Sequence, residues 1–320
     1  PLNSDGHLMA DEFDVSQAFH DMQISIPGRL WKYTLGNHVH LALVASHILL
    51  LSPHHYPYDL APFFTDAGLV TTVRCIQSKY KLTRDSMPLE LMKSMVEILD
   101  NLDKHLIDRD AAIFQLMLLK LDERQRQIRD AIINLIHKLP DAALNRGLRE
   151  MEQNTRFVEP FLCGLFNNPS QGVFFRWLDE CTMEVKKKDL LTNVCPEITI
   201  TRSRGVHWMV SSAYREAKPT VESDSNLMLC SDLMRVAIFC KNALDEYGMD
   251  VVGNTVSFYV MTLPFAGLYM FYELAAITVP NSIRDLSKLI MDMPQLFLLL
   301  DVFHRLCQRL YWTTVFLSTE

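Results

Sequence analysis

The chain has 320 residues, of which 49% are hydrophobic and 22% charged, and its formal net charge is -7. That length holds one large domain or two ordinary ones, and the balance is that of a globular rather than a disordered protein. The acidity is spread over both halves, so nucleic-acid contact requires a local basic patch working against the overall field.

Seven cysteines stand at 75, 163, 181, 195, 230, 240 and 307, with no C-x-x-C among them. An odd, scattered set fits reduced thiols in an intracellular compartment, nuclear or cytoplasmic, better than a disulfide framework. The longest apolar runs, such as Leu41–Leu51, contain His or Ser and are too short to span a bilayer, so no membrane partner is expected. The first residues show no charged segment followed by an apolar one, and no secretory leader is expected there.

Residues 1–27 read as a polar tail or docking segment. Residues 28–150 read as a helical domain or helical prefix. An apolar helical pattern runs from Leu30 to Leu51, and further helices are expected over Asp66–Tyr80, Pro88–Lys104 and Ile107–Lys138. His38, His40, His47, His54 and His55 fall close together, but no carboxylate or Cys joins them at ligand spacing, so core and turn histidines are the better reading. Asp122 to Arg126 is a charge run and reads as a solvated face.

The character changes near Asn154. A helix is expected over 155–166, presenting Glu159, and strands over 172–178, 197–203 and 213–218. A helix over 224–247, stopped by Gly248, comes next. Two antiparallel strands follow at 255–263 and 268–279, rich in β-branched and aromatic residues. The C-terminal part reads as helical, interrupted at Pro294 and resuming over Leu296–Val315.

Chemistry-bearing residues concentrate on the middle strands. Side chains alternate across a strand, so Tyr214, Glu216 and Lys218 share one face of theirs, and Glu197, Thr199 and Thr201 one face of the strand before. Two carboxylates held close repel unless a cation lies between them. Mg²⁺ takes such hard oxygen ligands and keeps waters for a substrate. A lysine beside that metal orients or helps deprotonate an attacking water.

Pro196-Glu197 followed by Glu216-Ala217-Lys218 resembles the PD-(D/E)XK nuclease signature, and the order helix, strand, strand, strand, helix, strand over roughly 155–265 resembles that superfamily's core. The C-terminal half also resembles a group of fungal proteins with no assigned activity. The resemblance implies an α+β, restriction-endonuclease-like fold, a mixed sheet flanked by helices, within 151–320. It implies a hydrolase that cuts phosphodiester bonds of DNA or another nucleic acid with magnesium or Mn²⁺. Glu197 and Glu216 would be metal ligands with the carbonyl of Ala217, Lys218 the catalytic lysine, and Glu159 an accessory ligand. Glu197 stands where the family pattern has Asp, and its extra methylene shifts the carboxylate by about one bond length.

Around this constellation, Lys186, Lys187, Lys188, Arg202, Arg204 and Lys241 are the candidate phosphate-binding cations and Tyr214 a candidate substrate contact. Trp208, in the hairpin turn, either stacks on a base or covers the sheet. Two other readings stay open beside the nuclease. One is a non-catalytic interaction or nucleic-acid-binding module on the same fold with a degenerate metal site. The other is a mostly helical scaffold whose Glu and Lys form ordinary surface pairs. A protein partner on the helical region and a homodimer are compatible with each.

Overall fold

The computed structural model describes residues 7–26, 34–53, 57–83, 89–144, 150–178, 196, 198–204, 207–218, 226–243, 247–252 and 255–307; for 150, 151, 204, 210, 212, 215–218, 226, 243, 247–252 and 307 it describes the backbone alone. A short ribbon, β1 (Met9–Ala10) and β2 (Phe13–Asp14), leads into α1 (Val15–Ser25). Asp14 starts that helix, its side chain accepting the Gln17 N–H. α2 (Val39–Ala45) and β3 (Ile48–Leu51) follow. Then come α3 (Asp66–Tyr80), α4 (Leu89–Asp103), α5 (Arg109–Leu118) and α6 (Glu123–Lys138). α7 (Glu150–Gln153) continues through a π segment (Asn154–Val158) into α8 (Glu159–Phe166).

The strand-rich part holds β4 (Val173–Trp177), β5 (Ile198–Arg204) and β6 (His207–Lys218), then α9 (Asn226–Ala243) and β7 (Tyr247–Val252). β8 (Thr255–Phe265) and β9 (Leu268–Thr278) form a hairpin turned at Gly267, whose φ of 82° suits a residue without a Cβ. A 3₁₀ segment (Ile283–Asp292) and α10 (Met293–Val302), which runs into a second π segment (Phe303–Cys307), complete the described chain.

The protein is thus α+β, with a mixed seven-stranded sheet in the order β3-β9-β8-β7-β6-β5-β4. β3 runs parallel to β9 and β6 parallel to β7; the other pairs are antiparallel. Alternation sends successive side chains to two cores. Ile200, Ala213, Val256, Phe258 and Met270 join helices α4, α6, α8 and α10 on one side. Tyr214, Tyr259, Met261 and Phe271 join Val236, Phe239 and Cys240 of α9 and Leu43 of α2 on the other. The sheet is therefore a middle layer covered by helices on both faces.

Several boundaries differ from the sequence reading, each for a local reason. The pattern over Leu30–Leu51 breaks at His47, whose φ is 65°, and Ile48–Leu51 becomes an edge strand rather than a helix end. The stretch assigned to a helical prefix thereby supplies a strand to the same sheet as the C-terminal part. The expected helix over Ile107–Lys138 is two, because Asp122 caps α6 in a reciprocal box with Gln125. The charge run at 122–126 is this cap, and Arg124 reaches Asp301 at 3.3 Å. The helix expected over 224–247 ends at Ala243, and 247–252 is a strand lying parallel to β6. Pro294 stands in the first turn of α10, where its missing N–H costs nothing, so it begins that helix rather than interrupting it.

Candidate functional site

β6, α9 and β7 make a strand–helix–strand crossover between parallel neighbours, with α9 packed on both strands. In open α/β sheets the crevice at the carboxyl ends of such strands is where ligands bind. Glu216, Ala217 and Lys218 occupy the carboxyl end of β6. Across that end the antiparallel β5 begins: Ile198 is the register partner of Arg215, one residue before Glu216. On the other side Glu216 is the register partner of Asp250 in β7, and Lys218 of Val252. Neighbouring strands stand about 4.8 Å apart, so the backbones at 216 and 250 are adjacent. Glu197 lies outside the described residues, as do Lys186, Lys187 and Lys188.

The remaining site residues are dispersed. Glu159 opens α8, whose buried residues belong to the core on the opposite side of the sheet from Tyr214. Tyr214 is 1% exposed and tilts against Phe239 with ring centroids 5.7 Å apart. Its ring is a core side chain, which corrects its assignment as a substrate contact. Lys241 donates to the Ser46 carbonyl and its ammonium stands 5.1 Å from the centroid of the Tyr269 ring. Tyr269 belongs to β9, three strands from β6 and roughly 14 Å across the sheet. The lysine is therefore held beside the β3–β9 edge and not over β6. Arg202 and Arg204 lie toward the hairpin end of β5, Arg204 in register with His207. That end is roughly 30 Å of strand from Glu216. These two arginines do not flank the carboxylate end, as the sequence reading expected.

The hairpin tryptophan has neighbours of its own. Trp208 takes the Arg176 guanidinium on its ring, 3.9 Å from the centroid, and Phe174 edge-on at 5.3 Å. It covers β4 in this arrangement, while remaining 44% exposed.

The face beneath α9 carries buried polar groups that sequence reasoning passed over. Thr199, Thr201 and Ser211 are buried, with the Thr199 and Thr201 hydroxyls 3.0 Å apart and those of Thr201 and Ser211 at 3.5 Å. Asp232 of α9 is also buried, and Arg235 approaches it at 3.6 Å. The signal was present: Asp232 interrupts the apolar stripe of Leu229, Leu233 and Val236. Asp250 was missed because its strand was missed. Buried polar groups are costly unless hydrogen-bonded, and these hydroxyls lie mid-strand, Ser211 five residues before Glu216.

Other candidates are quiet. His38 bonds Asp59 at 3.0 Å and His47 bonds Gln23 at 3.1 Å; His54 and His55 lie outside the described residues. Among the described residues no group of three His, Cys, Asp or Glu side chains converges as a metal site. Burial, with Glu159 adding to it, pushes the Cys163 thiol up to about 12, so it is no nucleophile near neutral pH. A cavity of about 610 Å³ lies against β9, lined by Gln77, Tyr272, Glu273 and Gln295, and does not open over β6. No helix among the described residues is long and apolar enough to cross a membrane. No family model, no curated protein and no solved structure matches the chain.

Proposed function

We propose that the protein is a metal-dependent phosphodiesterase acting on nucleic acid, built on a restriction-endonuclease-like core. The observation that carries this reading is the register at one end of the sheet. Glu216-Ala217-Lys218 end β6, β5 starts one residue after Glu197, and Asp250 lies beside Glu216. The succession α8, β4, β5, β6, α9 also follows the order that the family resemblance implies, with β7 and not the expected 255–263 as the strand next after the helix. Carboxylates at 197, 216 and 250 are the hard oxygen donors that Mg²⁺ or Mn²⁺ takes. Bound there, the ion would polarise a phosphate and lower the pKa of a water. Lys218 would hold that water or balance charge on the phosphate, and Asp250 would enlarge the donor set beyond the two glutamates.

The test is cleavage of supercoiled plasmid and of single-stranded DNA and RNA with Mg²⁺ or Mn²⁺. Wild type is expected to cut, and Glu216→Ala and Lys218→Ala to lose at least about 10²-fold in rate. Equal cleavage by all three would identify a contaminant. No cleavage by wild type, with no metal heat in calorimetry, would leave the second reading, a non-catalytic binding module on the same scaffold. The placement of Arg202, Arg204 and Lys241 away from the carboxylate end favours that second reading.

A further inference from the structure

The helix α5 leaves three of its large apolar side chains in solvent. It buries Ala112 and Leu116 and packs Ile113 half-buried against the core, beside α4 and α6. Phe114, Met117 and Leu118 are instead 64%, 57% and 64% exposed. Residues three and four apart are neighbours on a helix surface, so these three form one patch. It presents on the order of 350 Å² of apolar surface, comparable to the largest patch of an ordinary monomer and usually functional at that size.

The charges around the patch select its occupant. Asp110 stands in the first turn of α5, and Lys120 two residues past its end. Both are exposed, and neither has an ion pair among the described residues. Arg109 is already committed, donating to the Ile136 carbonyl at 2.6 Å and to Asp141 at 2.7 Å. An acid at one end of an apolar stripe and a base at the other is self-complementary under a two-fold axis. Two copies of α5 packed antiparallel bring Asp110 of each toward Lys120 of the other, with the Phe114 ring against Met117 and Leu118 across the axis. Isologous contact of this kind is the commonest oligomer interface. The two patches supply roughly 700 Å² of apolar area, and their polar borders bring the total into the range above ~1,000 Å² of a specific interface.

We propose that the protein forms a two-fold homodimer through α5, with Phe114, Met117 and Leu118 at its centre and reciprocal Asp110–Lys120 pairs at its rim. The inference is independent of the nuclease reading, since none of these residues belongs to the sheet.

Light scattering on the eluting full chain tests it, at about 50 μM, where mass action favours the dimer. Wild type is expected at twice the 36.9 kDa chain mass, and Phe114→Glu with Leu118→Glu at the single-chain mass with an unchanged circular dichroism spectrum. Asp110→Lys and Lys120→Asp are each expected to weaken the dimer at least several-fold, and the two together to restore it. Wild type at the single-chain mass overturns the proposal. So does a dimer that survives the double Glu variant, or one that the charge exchange fails to restore.

Discussion

The two faces of the sheet are built differently. The face under α4, α6, α8 and α10 is mostly apolar, from Val173 and Ile200 across to Leu274 and Ile277, with buried Thr262 and the Tyr272 hydroxyl as polar exceptions. Its helices approach closely: a Cβ on Gly164 of α8 would stand 2.2 Å from the Ala131 backbone of α6. The face under α9 is divided. Toward β3 and β9 it is filled by Leu43, Phe239, Tyr259 and Phe271, with the last two rings stacked at 4.6 Å. Toward β5 it holds the hydroxyls of Thr199, Thr201 and Ser211. One face is thus optimised for packing. The other gives up packing for polar groups on the middle of β5 and β6, short of the carboxyl end that carries Glu216.

That contrast is open to direct challenge. The strongest intervention is Gly164→Leu on the apolar face. The new side chain meets backbone, which cannot rotate away, and a loss of about 4 kcal/mol or more is expected in urea unfolding. A loss below about 1 kcal/mol would mean that the helices are not in the contact described. On the divided face, Thr201→Val is expected to cost about 1–2 kcal/mol, because it removes the partner that stands 3.0 Å from the Thr199 hydroxyl. Replacing Thr199 and Thr201 together by Val removes both hydroxyls of that bond and is expected to cost less than the single change. A double variant worse than the single would show that these hydroxyls bond elsewhere.

The smallest effect lies away from both faces, at Asp285. Lys288 bonding at 2.5 Å and Ser282 at 2.8 Å hold its carboxyl below the usual carboxylate range. A lowered folded pKa stabilises the protein above the unfolded value near ~3.9, and that contribution is lost as pH falls through the folded value. The side chain is a third exposed, so Asp285→Asn is expected to cost less than about 1 kcal/mol at pH 7 and nothing in strong acid. Equal costs at the two pH values would contradict the pairing.

Legibility in the sequence followed the length of the pattern. α3 was expected over Asp66–Tyr80 and is found there, since fifteen residues of helical period leave little choice. The β8–β9 hairpin was legible from its β-branched runs around Pro264 to Gly267. Ile48-Leu-Leu-Leu51 was not, because a four-residue apolar run carries no period and fits a helix end as well as a strand. Tyr247–Val252 failed for the opposite reason: Gly248 and Asp250 are poor strand residues, and only their place between β6 and β8 makes a strand of them. At the candidate site, spacing sufficed to select Glu216 and Lys218. It did not reveal that Lys241 is drawn to Ser46 or that Tyr214 is enclosed, because both depend on how α9 lies across the sheet.

The pairing of β3 with β9 has a consequence for how the chain comes into being. Ile48 meets Tyr269, roughly 220 positions later, in a parallel ladder. At ~5–20 residues per second, the ribosome takes on the order of 10–45 s to deliver the partner of a strand made early. Ile48–Leu51, buried in the finished protein, must wait through that interval with its apolar side chains and backbone donors unpaired. Birth order therefore places the hazard of misassociation early and its cure late. A chaperone that holds nascent apolar segments would find a client sequence there.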